Sequence, residues 1–87
     1  MLEEFMGRAV VLDLRSPYVC LGILAGCDER YFEVKDADMH DLRDSDTTRE
    51  NYVAASRATG IKRNRRRILI AREEVVGISL FDDVVDV

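Results

Sequence analysis

Tryptophan is absent from this 87-residue sequence, and proline and histidine occur once each, as Pro17 and His40. A single histidine rules out a histidine-built metal cluster, and no Ser-His-Asp arrangement can be assembled around it. Glycine is scarce too, and no glycine-rich phosphate loop is spelled anywhere. The sequence therefore predicts no enzyme, no cofactor and no metal site. Two cysteines, Cys20 and Cys27, are seven apart and fit no zinc spacing. Without a signal-like apolar N-terminus, a cytoplasmic, reducing setting is expected, in which both cysteines serve as small buried apolar residues. No apolar run approaches the roughly 20 residues of a membrane span, so no membrane partner is expected.

What is present fits one domain, residues 1–87. A chain this short buries only about 60–65% of its unfolded surface, so association with further copies is expected to supply added stability. The net charge of −4 argues against general affinity for polyanions, but the charge is unevenly placed. Residues 28–50 hold nine acids against four bases, whereas residues 57–72 hold seven bases and no acid. The apolar spacing in "RAVVLDLRS" predicts a half-buried strand, with Val10, Leu12 and Leu14 alternating with Val11, Asp13 and Arg15. Ser16-Pro17 supplies a turn. "YVCLGILAG" reads as a second strand whose interior Gly22 implies a sharp bend or a close backbone approach. "RYFEVKDADM" reads as a third, with Phe32 and Val34 on one side.

Ahead of these strands, "LEEFM" suits one or two helical turns with Leu2, Phe5 and Met6 turned inward. Between Met39 and Gly60, Thr47 and Glu50 have capping-box spacing, and Gly60 sits where a helix stops. A helix over about 48–59 is predicted, with a thin apolar face that makes it a surface excursion. "RRRILIAREEVVGISLF" then gives two strands around "AREE", apolar on both faces and calling for cover from outside the subunit. The acidic tail "DDVVDV" either extends the last strand or frays.

The order of helical turn, three bent strands, excursion and two strands resembles the Sm-like family of ring-forming β-barrels. "AVVLDLRSPYVCLGILAGCDERYFEVKDAD" is similar to the first motif of that family, through Gly22, Leu24, Asp28 and Asp36-Ala37; "ILIAREEVVGI" is similar to the second. The resemblance implies a mostly-β fold: a five-stranded, strongly bent antiparallel barrel with an N-terminal helical turn and a helix-containing insertion, 47–60, between the third and fourth strands. It also implies a homo-oligomeric ring in which the fourth strand of one subunit meets the fifth of the next. Ile68, Leu69, Ile70, Val76, Ile78 and Leu80 would form that contact.

Single-stranded RNA is the ligand the resemblance implies, yet the motifs depart from the pattern. RNA-binding members carry an aspartate, a stacking residue and a base-reading asparagine at the corner between the second and third strands. Here Asp28 is followed by Glu29, Arg30, Tyr31 and Phe32, with no asparagine, and Arg72 is followed by Glu73 rather than glycine. Asp28, Arg30 and Tyr31 thus form either a base-stacking site or an ordinary hairpin turn. Arg72 is either a base or phosphate partner, or is paired to Glu73, Glu74 or a neighbouring subunit. The run Lys62, Arg63, Arg65, Arg66 and Arg67 is either a phosphate-binding patch or a set of partners for the acidic 28–50 region. The acids of "DADMHDLRDSD" read as a solvated edge rather than a cation site. The alternative to RNA binding is an oligomeric adaptor that has lost base recognition and docks a protein partner through 47–60.

Overall fold

The computed structural model describes residues 1–85. Five strands make one antiparallel sheet: β1 (Ala9–Leu14), β2 (Tyr18–Cys27), β3 (Tyr31–Asp41), β4 (Arg65–Ala71) and β5 (Val75–Leu80). Helix α1 (Arg49–Thr59) lies between β3 and β4, and a 3-10 turn over Leu2–Phe5 precedes β1. The strand order is β4-β3-β2-β1-β5, so β4 and β5 are the two edges. The sheet is bent but open, because those edges do not bond to each other. They nevertheless pack on one core: Ile70 of β4 is buried in it, and Ile68, Val75, Ile78 and Leu80 press against it.

The bend has a visible cause at Gly22. A Cβ there would stand 2.6 Å from Val34 Cγ1, 2.9 Å from the Lys35 carbonyl oxygen and 3.0 Å from Ala37 Cα. Opposite it, the β2–β3 register shifts between Leu21 and Ile23, so β3 carries one extra residue. Asp36 absorbs this bulge with φ of 47°, a left-handed conformation that aspartate tolerates better than most side chains. A close approach and a bulge together give the sheet its curl.

Several expectations need correction. β1 is not half-buried: Val10, Val11 and Leu12 are all sealed, because α1 covers the face opposite the main core. The helix is therefore no mere surface excursion. Val53 and Ser56 are buried beneath it, and Val53 closes a second cluster with Val11, Val19 and Leu21. Its cap is Thr48, whose hydroxyl accepts from the Asn51 amide at 3.1 Å, not Thr47 with Glu50. Gly60 does end it, with φ of 96°. Leu2 and Phe5 pack on the core as expected, whereas Met6 is exposed. Cys20 is buried, but Cys27 is exposed at the end of β2. After β5 the chain turns into a 3-10 turn, Phe81–Asp83, rather than extending the strand; the last two residues of the acidic tail lie outside the described residues.

The insertion is fastened by polar bonds. Buried Asp38 accepts from the Tyr52 hydroxyl and from Asn64 Nδ2 at 3.3 Å. Asn64 also exchanges hydrogen bonds with the Met39 backbone, its Oδ1 accepting and its Nδ2 donating, each at 3.1 Å. The His40 and Tyr52 rings stack at 3.8 Å. Where α1 begins, Arg49 donates to the carbonyls of Leu14, Ser16 and Tyr18. Every one of these bonds links the insertion or its return to the first three strands or to the turn between β1 and β2.

Candidate nucleic-acid interface

The β2–β3 corner is built by Asp28. Its Oδ1 accepts from the amides of Arg30 at 2.8 Å and Tyr31 at 2.7 Å, while its own amide donates to the Tyr31 carbonyl at 3.0 Å. This is an aspartate-capped turn, and it fixes the corner without glycine. The two backbone bonds, from Arg30 and then Tyr31, hold the Asp28 carboxyl below its ordinary pKa. Asp28 itself thus serves the turn, the simpler of the two roles open to it.

Pairing of Tyr31 with Ala71 brings Arg72, the first residue of the β4–β5 turn, against that corner. The Arg72 amide donates to the Arg30 carbonyl at 2.8 Å, and its guanidinium donates to the Asp28 carbonyl at 2.7 Å. The same guanidinium lies over the Phe32 ring, 5.1 Å from its centroid. Arg72 is therefore bonded to backbone and stacked on an aromatic face; no ion pair to Glu73 or Glu74 forms. Two turns 44 residues apart become one surface.

The resulting cleft, about 350 Å³, is lined by Glu29, Arg30, Tyr31, Ala71, Arg72 and Glu73. Tyr31 is 42% exposed and offers an open ring face. The arrangement suits a flat, unpaired base, with the Tyr31 phenol ring and the Arg30 guanidinium at hand and Arg72 bracing the corner. Glu29 and Glu73 put negative charge at the same rim.

The basic run is divided. Arg63 pairs with Asp36 at 3.1 Å, and Arg67 with Glu33, which lowers the pKa of that carboxyl. Both acids lie in the 28–50 region. Lys62, Arg65 and Arg66 are exposed and form no ion pair among the described residues. None of the five lines the cleft between the two turns. Of the residues expected at a subunit contact, Ile70 is spent in the chain's own core and Ile68, Ile78 and Leu80 are half-buried against it. Leu69 and Val76 remain open, at 47% and 64% exposure. Residue patterns did not single out Phe32 as the support beneath Arg72, or Asn64 as the fastener of the insertion. An aromatic one step past the corner and an asparagine amid five bases are the only signals for them.

No family model matches the sequence, and no curated protein does either. The fold is nonetheless shared with a solved structure: the Sm protein of Pyrococcus abyssii in complex with a uridine heptamer. The two superpose with a TM-score of 0.62 over 91% of this chain and 90% of that one, at 18% sequence identity. No helix among the described residues is long and apolar enough to cross a membrane.

Proposed function

We propose that this chain uses its Sm-like fold as the subunit of a ring that binds single-stranded RNA at the cleft between the β2–β3 corner and the β4–β5 turn. The observation that carries this reading is the convergence of Arg30, Tyr31 and Arg72, from two separate turns, on one cleft. Tyr31 stacks the base, Arg30 meets the flanking phosphate, and Arg72 holds the corner in shape from below. Lacking the base-reading asparagine, the site grips a base by its face more than by its edge, so sequence preference is shallow. Support comes also from the shared fold with a protein solved around a uridine heptamer. Among the described residues β4 and β5 each have one open side, which suits edge-to-edge assembly.

The test is fluorescence anisotropy of a labelled uridine heptamer. Binding is expected at low salt, weakening steeply as salt rises, and lost in the Arg30→Ala, Arg72→Ala double variant. Tyr31→Ala is expected to weaken it by roughly tenfold, given about 1–3 kcal/mol per stacked base. Unchanged anisotropy at low salt would sink the RNA reading. A second reading is favoured by Glu29 and Glu73 in the cleft wall: an oligomeric adaptor without base recognition, docking a protein on the insertion. It predicts no heptamer binding and a partner lost on substitution of the exposed α1 residues Glu50, Asn51, Ala55 and Ala58, which leaves the cover over Val11, Val19 and Leu21 in place.

A further inference from the structure

Tyr31 borders more than the cleft between the two turns. Across β2, β3 and β4 the register sets Gly26, Glu33 and Leu69 side by side in one row. Tyr31 and Arg67 each stand two residues from a member of that row, so all five share the face of the sheet opposite Phe32 and Ile70. With Cys27 and Asp28 they line a second recess of about 330 Å³. Tyr31 is the one residue that lines both this recess and the cleft. Its exposed ring therefore stands as a partition between the two.

The recess has its own chemistry. At Gly26 the floor is bare backbone, and Glu33 Oε1 lies 3.2 Å from where a Cβ would stand. Arg67 Nε binds the other oxygen, Oε2, so Oε1 keeps no hydrogen-bond partner among the described residues. Asp28 is in the same state: its Oδ1 takes both turn amides, and its Oδ2 takes none. An ionised carboxylate can only accept, so two residues of the recess each hold an open acceptor. Leu69 and the Tyr31 ring add exposed apolar surface for the face of a base.

We infer that the chain takes two successive bases, one on each side of Tyr31, and that the recess over Gly26 selects a base carrying an exocyclic amine. Cytosine and adenine can donate that amine to Glu33 Oε1 or Asp28 Oδ2. Uracil presents a carbonyl oxygen at the same edge, which a carboxylate oxygen repels. An extended phosphodiester link reaches across one interposed ring, and the Arg67 guanidinium keeps N–H groups for the phosphate of that link. This rests on the RNA reading above and adds a second subsite, with a base preference that the cleft itself lacks.

The test compares two labelled heptamers by fluorescence anisotropy at low salt, one of uridine throughout and one alternating uridine with cytidine. Both bases are single six-membered rings, so the amine is the main difference. The alternating heptamer is expected to bind at least about fivefold more tightly. Gly26→Val fills the recess at a position whose backbone is not left-handed, and the atom nearest the new Cβ is the end of a flexible side chain. It is expected to abolish the preference and leave uridine-heptamer affinity unchanged. Tyr31→Ala is expected to cost the uridine heptamer roughly tenfold and the alternating one roughly a hundredfold, because both ring faces are lost. In the wild type, alkylation of exposed Cys27 by iodoacetamide is expected to slow under the alternating heptamer only. Equal affinity of the two heptamers overturns the inference, as does a preference that survives Gly26→Val or an equal loss of both in Tyr31→Ala. Should Gly26→Val bind neither, Cys27 in the wild type decides: protection by the alternating heptamer upholds the inference, and its absence overturns it. Failure of the wild type to bind either heptamer overturns the RNA reading itself.

Discussion

A methyl group on Gly22 has nowhere to go, since two of its three nearest neighbours are backbone atoms of β3. Gly22→Ala is expected to lower stability by about 1–3 kcal/mol, read as a shift of the urea midpoint at unchanged slope. That requirement is legible in the sequence, because a glycine set amid an apolar strand marks a bend or a close backbone approach. The fate of the cysteines is not, since nothing local distinguishes Cys20 from Cys27. Burial, with the charge of Asp38 adding to it, pushes the Cys20 thiol up to about 12. Native protein is accordingly expected to react with Ellman's reagent at one thiol, Cys27, and urea-unfolded protein at two; two in the native state would contradict the buried assignment. At the corner, Asp28 has a depressed folded pKa, so its support of the turn is complete above the ordinary aspartate value of about 3.9 and lost as pH falls through the folded one. The amide signals of Arg30 and Tyr31 are expected to titrate with a midpoint below about 3.9 in NMR spectra, and to lose that transition in Asp28→Asn.

At the scale of elements, α1 is the part the sequence describes least well. Its limits are marked by a hydroxyl cap and a glycine stop, and those are readable within a residue. Its docking is not, because one valine, one tyrosine and one serine make too small an apolar stripe to stand out. The complementary signal lies far away, in the second faces of β1 and β2, where Val11, Val19 and Leu21 look like ordinary strand alternation. Tyr52 links the two. Tyr52→Phe leaves buried Asp38 one partner short and is expected to cost about 1–3 kcal/mol in chemical denaturation, with amide exchange in α1 speeding up before that of the sheet. Burial first, and the bond to Asp38 second, raise the Tyr52 pKa above its ordinary value. Its contribution is therefore whole below about pH 10 and fades as pH climbs through the folded value. A wild-type stability profile flat across the alkaline range would contradict this.

For the molecule as a whole, the strands, their order and the open edges follow from the apolar spacing and the family resemblance. The division of labour among the bases does not. Net charge along the sequence cannot say that Asp36 and Glu33 claim Arg63 and Arg67 while Arg65 and Arg66 stay open, because β3–β4 register decides it. With two half-covered edge strands, the folded state is expected to depend on its own concentration. Tenfold dilution should lower Tm by about 4–8 °C in circular dichroism, and a Tm independent of concentration would contradict assembly as a source of stability.

Asn64 sews the returning chain to the strand from which it departed, so residues 42–63 are a detour with knotted ends. Such a cassette invites exchange: another sequence with the same greasy underside should slot in while the strands keep their alignment. Cutting it down to a bare hairpin is a different operation. It would strip the roof from Val11, Val19 and Leu21, and a trimmed chain of that kind should precipitate rather than merely lose an ornament.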